Sequence, residues 1–196
     1  MYTFLQLLGC GVMNGMVYAL LALGMVLIYK SSKVINFAHG QIGAIAAYIL
    51  FSLLWSRGIS IWPSLIVVVI IMGCVGFLIN HLTMRPMLGQ PLLSIIVMTI
   101  GLSILFDGVI VAGWGNIRIA YPSFPGRGTV HLGPIVFSGS YITGALIALA
   151  LFGAFVYLFQ RTKTGLMMRS VAESHSVARS LGIKVNDTMT WVWVIA

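Results

Sequence analysis

The stretch FLQLLGCGVMNGMVYALLALGMVLIY, Phe4 to Tyr29, contains no charged residue. About 20 apolar residues suffice for a helix to cross the hydrocarbon core of a bilayer, so this run reads as a full span. It does not read as a signal peptide, because Met1, Tyr2 and Thr3 give no basic n-region and the apolar run is longer than an h-region. Comparable runs follow at Ile61–His81, Leu92–Gly113 and Tyr141–Gln160. Gly40–Trp55 is shorter and crosses only if it stands nearly upright or extends back into Ile35–His39. At Trp191–Ala196 a further helix reads as just starting. The expectation is an all-α membrane protein: a polytopic helical bundle of five full transmembrane helices and the beginning of a sixth. It forms one transmembrane domain over residues 1–196, truncated at its C-terminus.

Composition agrees. The chain of 196 residues is 60% hydrophobic and 7% charged, whereas a soluble domain carries about 25% charged residues. Such a surface needs the bilayer as part of its solvent. The 22 glycines fit close helix packing in membranes. A net charge of +8 could indicate nucleic acid, but the charges sit between apolar runs, so topology explains them and no nucleic-acid partner is expected. Lys30, Lys33, Arg85, Arg161, Lys163, Arg169, Arg179 and Lys184 fall in one alternating set of loops, and Arg57, Arg118 and Arg127 in the other. Eight against three places the first set in the cytoplasm and the N-terminus outside. That orientation holds if the second segment crosses fully. Cys10 and Cys74 lie in apolar runs and read as buried free thiols, with no metal-ligand spacing around them.

The span boundaries have physical causes. Pro63 and Pro91 stand at helix starts, where a missing N–H costs nothing. Trp55, Trp62 and Trp114 flank spans as interfacial aromatics do. Small residues recur four apart at Gly11 and Gly15, Gly40 and Ala44, and Gly144 and Ala148, a spacing suited to helix packing.

Polar groups within the spans are few. Asp107 is the only acid in one, and burying it costs a few kcal/mol, so it should face protein or water. Thr99, Ser103 and Asp107 fall at i, i+4 and i+8, one face of the fourth span, which reads as turned to the bundle interior or to a pathway. An outer-third aspartate reaching the outer surface is the plainer alternative. Asn14 and Tyr18 pair at i, i+4 on the first span, with Asn14 expected to bond a neighbouring helix. Val34–Gly40, interrupted by Asn36 and His39, reads either as a surface turn or as a broken or re-entrant helix.

Arg161–Thr190 is the long polar stretch of the basic side. Ser170 and Glu173 have capping-box spacing. Gly182 is a natural helix stop, with Ile183 positioned as its apolar clasp. The expectation is one short helix over Val171–Leu181. A lipid-surface helix is the simpler reading, but the apolar face is weak and lacks Trp and Phe, which favours a protein contact.

The motifs Asn14–Tyr29, Val34-Ile-Asn-Phe-Ala-His-Gly40, Gly43–Tyr48, Arg85-Pro86, Thr99–Ser103 and Thr164-Gly165 through Gly182-Ile183 resemble those of LivH-type permeases. These are membrane subunits of branched-chain amino-acid ABC importers. The resemblance covers essentially the whole chain, and the family's members are about half as long again. It implies a permease of the inner membrane that translocates branched-chain or related amino acids. Its partners would be a second permease subunit, identical or different, two cytoplasmic ATPases and a substrate-binding protein. Glu173, Ser174, Ala178 and Gly182 would contact an ATPase within a 161–190 coupling loop. Asn36, His39, Thr99, Ser103 and Asp107 would line the pathway, and Arg118 and Arg127 would meet the binding protein. No G-x-x-x-x-G-K loop is present, so the chain should bind no cofactor of its own, with ATP and Mg held by the ATPases. Urea or short amides are the alternative cargo. An ion-coupled secondary transporter using Asp107 is the alternative of another class. No paired carboxylates or nucleophile–base set points to an enzyme.

Overall fold

A computed structural model describes residues 2–87, 89–115, 128–132 and 135–196. The first apolar run forms α1 (Tyr2–Ser32) and the short one α2 (His39–Trp55). Then come α3 (Ile61–Leu78), continued by a π-helical turn over Ile79–Met84, and α4 (Leu92–Trp114). A hairpin of β1 (Thr129–Leu132) and β2 (Ile135–Ser138) precedes α5 (Gly139–Arg161). The chain continues through α6 (Lys163–Glu173), α7 (His175–Ser180) and α8 (Val185–Ile195). Four helical stretches, Thr3–Ser32, Ile61–Met84, Leu92–Trp114 and Gly139–Arg161, are long and apolar enough to cross a membrane; α2 is a shorter apolar helix.

The two ends of the bundle differ. At one end the hairpin, paired antiparallel with Thr129 opposite Ser138, lies on the start of α1. There the Gln6 amide donates to the Val136 carbonyl at 2.9 Å, and Phe137 fills the space beside Gly9. Trp114 closes α4 by donating its indole N–H to Ser52 Oγ at 2.6 Å and tilting onto Tyr48, which ties it to α2 rather than leaving it free at an interface. Trp55 and Trp62 are exposed, as interfacial residues are. The hairpin was not foreseen in the loop before Ser138, although Val130, Val136 and Phe137 carry strand-favouring side chains.

The basic end holds the core. Leu27, Ile28, Ile79, Met84, Met168 and Trp193 bury one another there. Away from this end most side chains of the spanning helices stay exposed on the chain, and only 11–22% of each apolar window is buried. Such faces meet lipid or other protein.

Three sequence expectations need correction. The last helix begins at Val185, not Trp191; Val185, Thr188, Met189 and Val192 recur at helical spacing and are buried. Cys74 is exposed on α3 and Cys10 is half-buried, so neither is a core thiol. The foreseen small-residue rows are not the close contacts either. A Cβ on Gly11, Gly15, Gly40 or Gly144 would meet nothing within 4 Å. Backbones approach instead at Gly76, against the Trp193 carbonyl, at Gly24, against the Ala196 carbonyl, and at Gly165. Only Ala148, with Ala145, is buried as that pattern expected.

Candidate functional site

The link between α1 and α2 is not a surface turn: irregular chain runs back alongside α1, and α2 then continues toward the end where Ser52 meets Trp114. Lys33 takes a positive φ of 58°, which turns the chain back at the end of α1. By His39 the chain has returned alongside Leu21, whose carbonyl lies 3.2 Å from His39 Nε2. Leu21 precedes Ser32 by eleven residues of α1, which at 1.5 Å per residue is about 16 Å. The first turn of α2 therefore sits well inside the span of α1. Asn36 organises the return: its Oδ1 accepts the Ala38 N–H at 3.0 Å and its carbonyl accepts the His39 N–H at 3.2 Å. Asn36 and His39 are 1% and 8% exposed. Irregular backbone at membrane depth is tolerated only where protein or a water-filled cavity surrounds it. Here His39 lines two apolar cavities of about 260 and 430 Å³, the first bounded by Leu21, Ile42 and Val69 and the second by Leu20, Leu151 and Phe155.

The α4 stripe is divided. Thr99 is fully buried and donates to the Ile96 carbonyl, Ser103 is half-buried, and Asp107 is exposed on the chain surface. The expected inward face thus holds for Thr99 and fails for Asp107. Two packed residues, Leu102 and Phe106, and the buried Ile110 take the inward positions around it. Among the described residues Asn14 makes no bond to a neighbouring helix: Asn14 and Tyr18 are exposed, and they share their face of α1 with Gly11 and Gly15.

The polar stretch 161–190 differs most from expectation. One helix over Val171–Leu181 was expected; the chain forms α6 and α7, broken at Ser174 in an extended conformation (φ −157°, ψ 121°). Ser170 does not cap. It lies inside α6 and donates to the Leu166 carbonyl at 3.0 Å. The caps are Thr162, accepting from Gly165 N–H, and Ser174, accepting from Val177 N–H. The end of α7 follows the expectation: Gly182 has φ +77°, Ile183 N–H reaches the Ala178 carbonyl at 3.0 Å, and Ile183 packs beside Ala178. Glu173 and Gly182 are exposed and Ser174 half-exposed, but Ala178 is fully buried among Val171, Val185 and Met189. Ala178 seats α7 on the bundle and does not face outward. Val177 and Leu181 are exposed apolar residues of α7 and its end, at 56% and 70%, as Leu166 is on α6 at 57%. Arg118 and Arg127 lie outside the described residues.

A polar hub joins this unit to the spans. Thr190 Oγ1 accepts from Asn80 Nδ2 at 2.9 Å and from Arg85 Nη2 at 3.0 Å, and donates to the Asn186 carbonyl. Asn80 belongs to the π-helical turn, a geometry that recurs at functional sites. Thr190→Val should leave both donors unpaired and lower stability in detergent by about 1–3 kcal/mol. Thr190→Ser should restore it. Equal resistance of Val and wild type to graded denaturant would contradict this.

Residues 8–196 match the family model described as branched-chain amino acid transport system / permease component. The chain belongs to this permease family. It is 28% identical to the high-affinity branched-chain amino acid transport system permease protein BraD of Pseudomonas aeruginosa, over 99% of the chain and 67% of that protein. It is 30% identical to the corresponding protein LivH of Salmonella typhimurium, over 98% of the chain and 66% of that relative. A probable branched-chain amino acid transport permease protein LivH of Methanocaldococcus jannaschii is 28% identical, over 90% and 58%. The chain therefore spans roughly two thirds or less of the length of such relatives. No solved structure matches it. Family and apolar helices together make this permease a multi-pass protein of the inner membrane.

Proposed function

We propose that the chain is the membrane permease subunit of an ATP-driven importer of branched-chain or related amino acids. The observation that carries this is the cytoplasmic-loop unit, two capped helices presenting Val177 and Leu181 outward from the basic end. By charge bias that end is cytoplasmic. A surface with apolar anchors at i, i+4 on a rigid seat suits a partner that does mechanical work there, and two ATPases are the partners this reading names. Glu173, Ser174 and Gly182 border the contact, and Ala178 supports it from beneath. The second permease subunit has a natural surface in the α1 face of Gly11, Asn14, Gly15 and Tyr18. An amide exposed at membrane depth between glycines favours another helix over lipid. A binding protein would dock at the hairpin end, with Arg118 and Arg127 as its docking charges. The permease itself carries out no chemistry.

Uptake decides the reading. In proteoliposomes holding the full assembly, leucine accumulation should require ATP and persist when an ionophore collapses ion gradients. Asp107→Asn should leave it within about twofold, since the exposed Asp107 couples nothing in this scheme. Accumulation driven by an ion gradient without ATP, and lost in Asp107→Asn, would replace this reading with a secondary carrier.

A further inference from the structure

We propose that the first turn of α2 binds the carboxylate of the transported amino acid. The site rests on the importer reading for the identity of its cargo and goes beyond it by naming the atoms that hold the cargo.

The backbone of α2 starts at membrane depth, beside Leu21 of α1. Of the donors at this helix end, the Ala38 and His39 N–H groups are taken by Asn36. The Gly40 and Gln41 N–H groups have no partner among the described residues. Gly40 is exposed, and its surroundings are open to 4 Å. Free N–H groups cannot face hydrocarbon at this depth without large cost, so this end of α2 opens to a polar or liganded space. The helix dipole adds partial positive charge there.

A second observation points to the same ligand. The Asn36 side chain lies at this helix end, 1% exposed, with its Oδ1 on the Ala38 N–H. Its Nδ2 has no hydrogen-bond partner among the described residues. A buried amide donor left unpaired destabilises the chain unless an acceptor comes to it. A carboxylate seated on the end of α2 presents two oxygens, enough for the Gly40 and Gln41 N–H groups and the Asn36 amide. Among the described residues no lysine or arginine lines the cavities at His39, so the anion would be held by dipoles and neutral donors, which allows release.

The neighbours set the rest of the ligand. Ile35 and Phe37, 45% and 50% exposed, flank Asn36 in the chain, and the cavities at His39 are lined mainly by apolar side chains, Trp193 and Phe155 among them. Apolar surface beside a carboxylate site suits an aliphatic amino acid better than a phosphate or a sugar acid.

Binding of tritiated leucine to the full assembly in nanodiscs, without the binding protein, tests this. The wild type should bind leucine at millimolar concentration or below. 4-Methylpentanoate, an acid without the amine, should compete; 3-methylbutan-1-amine, an amine without the acid, should not. Asn36→Asp keeps the oxygen that caps Ala38 and places a carboxylate where the ligand's belongs, so binding should weaken about tenfold or more. Competition by the amine and not by the acid overturns the site, as does unchanged binding in Asn36→Asp or no leucine binding by the wild type. The acid–amine comparison uses wild-type protein and does not depend on how the variant folds. Uptake measured in parallel separates the two claims: carboxylate-selective binding without ATP-dependent uptake removes the importer reading and leaves the site standing.

Discussion

Gly165→Ala will detach α6 and α7 from the bundle. A Cβ at this position would overlap the carbonyl groups of Leu158 and Phe159. These are backbone atoms of α5 and cannot turn aside as a flexible side chain can. The elbow is also stitched by Thr162, whose Oγ1 donates to the Leu158 carbonyl at 2.6 Å and accepts the Gly165 N–H at 3.1 Å. Forcing α6 away from α5 costs about 1–3 kcal/mol in overpacking and about 1 kcal/mol in the lost cap. The consequences spread, because Met168 and Val171 of α6 are among the most buried side chains of the chain. Met168 belongs to the main core, and Val171 to the cluster that seats Ala178, Val185 and Met189. In Gly165→Ala, added protease should cut within 163–182 from the basic side, and co-purification of ATPase should fall by about tenfold or more. Membrane insertion should be normal, because the spanning segments are untouched. A cleavage pattern like that of wild type would show that the elbow tolerates the methyl group.

Gly165 also shows where sequence reading stops. Apolar runs are legible because lipid imposes one requirement on a whole segment, and the spans beginning at Ile61, Leu92 and near Gly139 stand where hydropathy puts them. Local grammar within 161–190 is ambiguous. Ser170 with Glu173, Thr162 with Gly165 and Ser174 with Val177 all offer a hydroxyl three residues before an N–H. Which of them caps depends on burial of Gly165, Met168 and Val171 against other helices, and a local pattern does not contain that information. Gly182 was legible because a positive φ at a helix end is a local demand that glycine meets best.

The pathway candidates divide for the same reason. Asn36 and His39 stood out as polar interruptions of an apolar segment, and both are buried where the chain runs back alongside α1. Whether that segment was a surface turn or a break in a crossing segment depended on contact with Leu21, far away in sequence. Thr99, Ser103 and Asp107 share a helical face by spacing, but α4 packs mainly on α2, and its inward face passes through Thr99, Phe106 and Ile110. A spacing of four drifts relative to the 3.6-residue turn, so over two turns Asp107 leaves that face. Thr190 was invisible as a hub, because its partners Asn80 and Arg85 are brought to it only by the docking of α8 on the π-helical turn.

Val177→Asp with Leu181→Asp will uncouple ATP hydrolysis from transport. The two residues lie at i, i+4 on the outward side of α7 and its end, 56% and 70% exposed. Ala178, between them in sequence, faces the bundle with no exposed surface. The opposed faces mean that α7 can be altered outward without disturbing its seat, so the double variant should insert and resist denaturant as wild type does. At a protein interface, losing one central apolar anchor costs about 2 kcal/mol or more, and two carboxylates in place of two anchors cost further desolvation. ATPase pull-down should therefore fall by about thirtyfold or more. ATP-dependent uptake should fall with it, while leucine binding at α2 stays as it was. Ala178→Leu should act by another route: added volume among Val171, Val185 and Met189 lowers stability as well as pull-down. If the double aspartate variant retains its ATPases and its uptake, the mechanical contact lies elsewhere on the basic end, and the exposed Glu173 and Gly182 are then its nearest candidates.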